Sequence, residues 1–286
     1  MHRAKYIVFI LIQSLVYGIG NPLTKIAFET ITPMWCLTFR FIIAFAVIFL
    51  LGRETIKAEL KEQPVGSYLP AGICMALAYI FCNLALNWTS AVNVGFLMSL
   101  PIIFVPVLEK IILQKPYPKQ FIFLQIAVLA GLYLLCSNGG SFVFRTGDIF
   151  AVLTAVMIAG ALVFGEKSLQ SLSVVSISAV QLGITAVLST AGALLFDSVS
   201  LIPAISIEAL AIVLYLAFFC SCLAYMLQNE ALKHLKSATV SLLQCTQPIM
   251  TALVAFLMLG EELTASGIAG GGIIIACLIM SNRMVK

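Results

Sequence analysis

Arg40 is the residue whose placement most demands a chemical partner. It lies a third to halfway along the apolar run Met34–Leu51. That is too deep for its head to reach water easily. A central Arg in a bilayer costs on the order of 2.5 kcal/mol or more, so it must meet helix carbonyls, an anion or a carboxylate. The acids Glu29, Glu109, Asp148, Glu166, Glu230 and Glu261 all fall near the ends of apolar runs. Two roles stay open for Arg40: a brace on helix carbonyls, or a contact for an anionic group of a substrate. The missing mid-membrane acid argues against proton-coupled cation export through an embedded carboxylate. Coupling of a proton through Glu166 or Glu230 stays open, as does transport with no coupling ion.

Other polar residues interrupt the apolar runs at helical spacing. Gln13, Tyr17 and Asn21 stand at i, i+4 and i+8 and so form one stripe. Pro22, with Gly18 and Gly20 beside it, can free backbone carbonyls toward a cavity. Tyr79 and Asn83 are again i and i+4, as are Tyr225 and Asn229, with Gln228 alongside. Around Pro248 stand Ser241, Gln244, Gln247 and Thr251. Such residues either line a solute cavity or hydrogen-bond neighbouring helices. For Asn83 and Asn229 a third reading is capping of the tight turn that follows each. Pro22, Pro101, Pro106 and Pro248 are expected hinges or kinks, because a mid-helix proline removes one backbone bond and clashes with the preceding turn.

These residues must be held by membrane-spanning helices. The 286 residues are 62% hydrophobic and 10% charged, where a soluble chain carries about 25% charged residues. Apolar runs near the length of a bilayer core recur along the whole chain. The runs predict ten spans: Tyr6–Phe28, Met34–Leu51, Tyr68–Leu86, Ala91–Leu113, Phe121–Ser137, Gly147–Phe164, Val174–Phe196, Ile207–Leu232, Ala238–Leu259 and Thr264–Ser281. The longest polar stretch is Gly52–Ser67, too short for a soluble domain. The first span is too long for a signal peptide, and no small-residue cleavage site follows it, so it is expected to be retained.

Thirteen of the sixteen Lys and Arg residues fall on the face that carries the N-terminus; Lys25 and Arg145 fall on the other, and Arg40 lies within a span. That bias puts both termini in the cytoplasm and the chain in the cell membrane. The formal net charge of +4 follows from this topology and does not call for a nucleic-acid partner. The expected partners are the lipid bilayer and a small-molecule substrate.

All eight cysteines lie within spans, so no disulfide framework is indicated. Cys220 and Cys222 are i and i+2 and would face different ways on an α-helix. With only His2 and His234, both near the cytoplasmic face, no intramembrane metal site or cofactor is expected. The chain has no glycine-rich phosphate loop, no His-Glu-x-x-His run and no Gly-x-Ser-x-Gly elbow. It does not read as an enzyme.

One pattern occurs twice. Ala78-Tyr79, Asn83-Leu84-Ala85-Leu86, Ser90-Ala91 and Pro101-Ile102 return as Ala224-Tyr225, Asn229-Glu230-Ala231-Leu232, Ser237-Ala238 and Pro248-Ile249. Five spans per half is an odd number, so the two copies run in opposite directions through the membrane. The expected architecture is all-α, with ten transmembrane helices in two inverted five-helix repeats, 1–140 and 141–286, around a central cavity. In the last span, Gly267 and Gly271 form G-x-x-x-G, which fits either a homodimer face or close packing within one chain.

The runs Leu37–Phe41, Leu84–Ala91, Glu230–Met250 and Leu259–Leu263 resemble the EamA-type branch of the drug/metabolite transporter superfamily. The resemblance covers almost the whole chain. It implies a secondary transporter working by alternating access, with export of a small polar metabolite such as an amino acid. It also implies that helices one, three and four, with six, eight and nine, line the cavity. Where the family often has Gly-Glu in the first half, this chain has Gln114-Lys115. The alternatives are efflux of small drugs or cations, an intramembrane enzyme, and a membrane scaffold that moves nothing.

Overall fold

The computed structural model describes residues 2–89, 94, 96–116, 120–137, 145–197, 205–259 and 264–284. The described residues are helical, with α1 His2–Ala27, α2 Pro33–Glu62, α3 Leu69–Trp88 and α4 Pro101–Ile112. There follow α5 Gln120–Ser137, α6 Thr146–Ser168, α7 Val174–Phe196 and α8 Ile207–His234. The last three are α9 Ser237–Gln244, α10 Gln247–Leu259 and α11 Ala265–Met284. By length and composition α1, α2, α6, α7 and α8 are able to cross a membrane, and α3, α5 and α11 contain shorter apolar helices.

Local sequence sets the helix starts. Thr32, Ser173 and Ser206 each offer a hydroxyl to a backbone N–H three residues on, at 3.4, 3.3 and 3.0 Å. Pro33 supplies the first residue of α2, where its missing N–H costs nothing. Asp148 accepts from the Arg145 N–H at 2.6 Å at the start of α6 and from the Thr89 hydroxyl at 2.5 Å. That carboxylate therefore joins the end of α3 to the start of α6.

Three elements differ from the sequence reading. First, α2 does not end at Leu51. It bends at Gly52, whose φ and ψ of −117° and 16° leave the helical region, and then runs to Glu62. Ile56 is buried, and Glu59 accepts from the Ser173 N–H at 2.8 Å, so the charged extension is docked onto the start of α7. Second, Pro101 and Pro248 do not kink continuous helices. Turns at Met98–Leu100 and at Cys245–Thr246 precede them, and each proline sits in the first turn of a new helix, α4 or α10. Pro106 does lie inside α4. The Ile102 carbonyl that it leaves without an N–H accepts from Gln125 Nε2 of α5 at 2.8 Å. Third, α8 is not a uniform helix: Leu216–Leu223 winds as a π-helix between two α-helical segments. Such wide turns leave carbonyls out of the regular ladder and are frequent at functional sites.

Packing is dominated by contacts between the two halves of the chain. Helix α3 packs on α6 and α7, α2 on α7 and on the π turn of α8, and α1 on α8, α9 and α10. Helix α4 packs on α6, and α5 on α11. Gly18 brings α1 against α10: a Cβ there would lie 2.9 Å from the Met250 backbone. Gly131 and Gly270 bring α5 and α11 together, and a Cβ on Gly270 would lie 2.4 Å from the Gly131 carbonyl oxygen. The glycine contact in α11 thus uses Gly270, within one chain, while the space at Gly271 is open. Large apolar side chains such as Leu50, Leu51, Phe196 and Leu257 remain exposed on the outside of the bundle.

Candidate functional site

Two polar layers lie one above the other in the bundle interior. The first is built on Arg40 of α2. Its Nε donates to the Ser221 hydroxyl at 2.7 Å, and its Nη2 donates to the Cys220 carbonyl at 3.0 Å and to the Tyr79 hydroxyl at 3.5 Å. The guanidinium also lies 5.1 Å from the centre of the Phe41 ring and 5.3 Å from that of Tyr79, within cation–π range. Tyr17 of α1 and Tyr225 of α8 complete the layer, close enough to the guanidinium to interact with it electrostatically. Both of the carbonyl and hydroxyl partners of Arg40 in α8 belong to the π turn. The widened winding offers the Cys220 carbonyl, and the Arg fills it.

The second layer lies one helical turn along α1 and α8. Gln13 precedes Tyr17 by four residues and Gln228 follows Tyr225 by three, spacings that keep each pair on one helix face. Gln13 Nε2 donates to Gln228 Oε1 at 2.8 Å, and Gln244 Nε2 of α9 donates to the same oxygen at 2.9 Å. A longer contact of 3.4 Å runs from Gln244 Nε2 to Gln13 Oε1. The Thr246 hydroxyl, in the turn before Pro248, donates to Ser14 at 2.9 Å, next to this triad.

Not every candidate residue joins these layers. Asn229 is fully buried and donates to Ser178 Oγ at 2.9 Å and to Gln181 Oε1 at 2.8 Å, both on α7. It ties α8 to α7 on a face away from Gln228. Asn83 lies one turn beyond Tyr79 on α3, buried, with its Nδ2 unpartnered among the described residues. Gln247 is partly buried at the start of α10. Pro22 lies within α1; the side chain of Asn21, and Glu261 altogether, fall outside the described residues. Cys220 and Cys222 face opposite ways, their thiols 3.5 Å from the carbonyls of Val16 and Ala44 respectively. No group of three metal-ligating side chains occurs among the described residues.

A further network, not anticipated from the sequence, lies at the end of the bundle where Tyr6 stacks on His234 with ring centres 4.1 Å apart. Ser237, the first residue of α9, donates its N–H to Glu166 Oε2 at 2.8 Å, and the Ala238 N–H donates to Glu109 Oε1 at 3.0 Å. The Ser237 hydroxyl lies 2.7 Å from Glu109 Oε1 and 2.6 Å from Glu166 Oε2. Lys115 pairs with the other oxygen of Glu166. The chain reaches Lys115 through Gln114, whose φ of 52° is the one positive value at a non-glycine among the described residues. Two carboxylates thereby hold the N-terminus of α9, where negative charge is favoured. A cleft of about 320 Å³ opens beside them, lined by Lys115, Glu166, Gln170, Lys233, His234 and Lys236 among others. The departure at Gln114-Lys115 was the sequence signal for this network; the pairing with Glu166 and Ser237, more than fifty residues away, left none.

The model of the EamA-like transporter family matches residues 4–137 and 145–283. An "Uncharacterized transporter" of Archaeoglobus fulgidus is 25% identical over 274 residues, covering 95% of this chain and 84% of the relative. The "Uncharacterized transporter YyaM" of Bacillus subtilis is 23% identical over 281 residues, covering 96% and 92%. A solved structure described as "Crystal structure of protein" superposes with a TM-score of 0.83 at 16% identity and covers 99% of both chains. At that identity the likeness establishes the fold.

Proposed function

The chain belongs to the EamA-like transporter family and is a multi-pass membrane protein, and on that premise we propose that it moves a small polar metabolite across the cell membrane by alternating access. The observation that carries this reading is the pair of polar layers, Arg40–Tyr17–Tyr79–Tyr225 and Gln13–Gln228–Gln244. They are assembled from helices of both halves of the chain, at a depth where lipid-facing polarity would be costly. A scaffold would have no use for such an interior.

The architecture proposed is ten spans in two inverted repeats, 1–140 and 141–286. Two observations support it. The family model matches the chain twice, over 4–137 and 145–283. The helix pairings also recur when the order is advanced by half the chain: α3 on α6 corresponds to α1 on α8, α4 on α6 to α1 on α9 and α10, and α2–α7 and α5–α11 map onto themselves. The broken segments before Pro101 and Pro248 occupy equivalent places, as discontinuous helices do in repeat transporters. In this reading the Glu109–Ser237–Glu166–Lys115 network is the closed cytoplasmic gate, both termini are cytoplasmic by the Lys and Arg bias, and transport runs outward. Export rests on the family resemblance.

The test is an untargeted comparison of solutes retained by cells with and without the protein, followed by flux of the differing solutes in proteoliposomes. Solutes depleted from expressing cells and moved by purified protein are the expected result. Equal solute profiles, together with no flux of any candidate across liposomes, would remove the transporter reading.

A further inference from the structure

The central layers hold more hydrogen-bond donors and positive charge than their own acceptors answer. Arg40 is 7% exposed and, among the described residues, forms no ion pair. Its partners Ser221, Cys220 and Tyr79 are all neutral, so its full charge stays uncompensated in the bundle interior. In the layer below, the acceptor oxygen of Gln228 is taken twice, by Gln13 and Gln244, and that of Gln13 once. What is left over is a donor: Gln228 Nε2 has no partner among the described residues, although the residue is only 5% exposed. One turn along the same helix face, the hydroxyl of Tyr225, 1% exposed, lies beside Tyr79 and Arg40. A buried polar group left unpaired costs about 1–3 kcal/mol, so the free Gln228 amide, on the face that carries Tyr225 and in the bundle that buries an uncompensated guanidinium, marks a place where a ligand completes the bonding.

We propose that the central site takes its solute by a carboxylate, received by Arg40, the Tyr225 hydroxyl and the free amide N–H groups of Gln228. The transported species are then small carboxylate-bearing solutes, and amines that lack a carboxylate are excluded. This rests on the transporter reading for its relevance to flux, while binding itself does not depend on it. Among the described residues no acid lies in either layer to receive an ammonium group, so a cationic solute would meet Arg40 unshielded.

The experiment is equilibrium retention on purified protein in lipid nanodiscs, read by mass spectrometry. The probe is a defined pool of carboxylates, amino acids and amines of matched carbon skeletons, for instance 4-methylpentanoate, leucine and isoamylamine. Retained members are expected to carry a carboxylate. Tyr225→Phe removes only a hydroxyl and keeps the packed ring, so the variant should fold and weaken retention about tenfold, the size of one lost charge-assisted bond. Gln228→Glu keeps the acceptor used by Gln13 and Gln244 but replaces the free donor, and should abolish carboxylate retention in folded protein. Retention of the amines as strongly as the carboxylates overturns the proposal. So does unchanged retention in both variants, or no retention of any member by folded wild type. Carboxylate binding without flux would instead sink the transporter reading and leave this one standing.

Discussion

Arg40 and Cys220 stand 180 residues apart in sequence and are joined by a 3.0 Å bond from the guanidinium to a backbone carbonyl. The bond fixes α2 to the π turn of α8. It also places the guanidinium beside Tyr17, Tyr79 and Tyr225. The side chain is therefore a brace by its contacts, and by its charge it remains available to an anion.

Arg40→Gln should accordingly affect two measurements. Losing the bonds to Ser221 and Cys220 removes a charge-assisted donor from two groups, which should lower stability by about 2–4 kcal/mol in a detergent melt. Transport of carboxylate-bearing solutes should also be lost. Arg40→Lys should rescue little of either, because Lys keeps the charge but not the planar fork that spans Ser221 and Cys220. An unchanged melting temperature with full flux in Arg40→Gln would show that neither role holds.

Asn229→Ala should separate packing from solute handling. It strips Gln181 and Ser178 of their donor inside a fully buried cluster. The expected cost is about 1–3 kcal/mol in stability with little change in the KM of any transported solute. A large KM change at unaltered stability would put Asn229 in the solute path instead.

Gly270 and Gly271 should respond in opposite ways. A methyl at Gly270 would collide with the backbone of α5 at Gly131, so Gly270→Ala should cut the yield of monodisperse protein sharply. Gly271→Ala meets open space and should be tolerated. The reverse pattern would indicate that α11 packs through its Gly267–Gly271 face.

Opening of the closed end should be visible without a substrate. In a cysteine-free background carrying Gln170→Cys at the cleft, Ser237→Ala combined with Glu166→Gln should raise the rate of thiol labelling severalfold. The reason is that α9 loses two of the groups that hold its N-terminus. Equal labelling rates with and without the two substitutions would mean the network does not hold the gate.

Reporters at Lys57 and Trp88 test orientation. Both lie at the polar ends of their helices, and Trp88 is 60% exposed. Single cysteines there should label from opposite sides of the membrane, Lys57 from the cytoplasm. Labelling from one side would remove the inverted arrangement.

The sequence alone determined the helical class, because lipid imposes a length and a composition on every span and leaves them legible residue by residue, and its motifs carried the family resemblance. It also marked the polar positions, since Gln13, Tyr17, Tyr79, Tyr225 and Gln228 keep helical spacing in an apolar background. Periodicity gives a face, however, and does not say what that face meets. Only the tertiary structure decided that Gln228 joins Gln13 and Gln244 while Asn229, its neighbour, turns to Gln181. It alone gave Arg40 its carbonyl, because a π turn depends on how α8 winds between α1 and α2, and no residue type announces that. The clamp on Ser237 had to come from the fold for the same reason. Glu109, Lys115 and Glu166 read singly as carboxylates and a lysine at helix ends. Three helices must converge before they become one network.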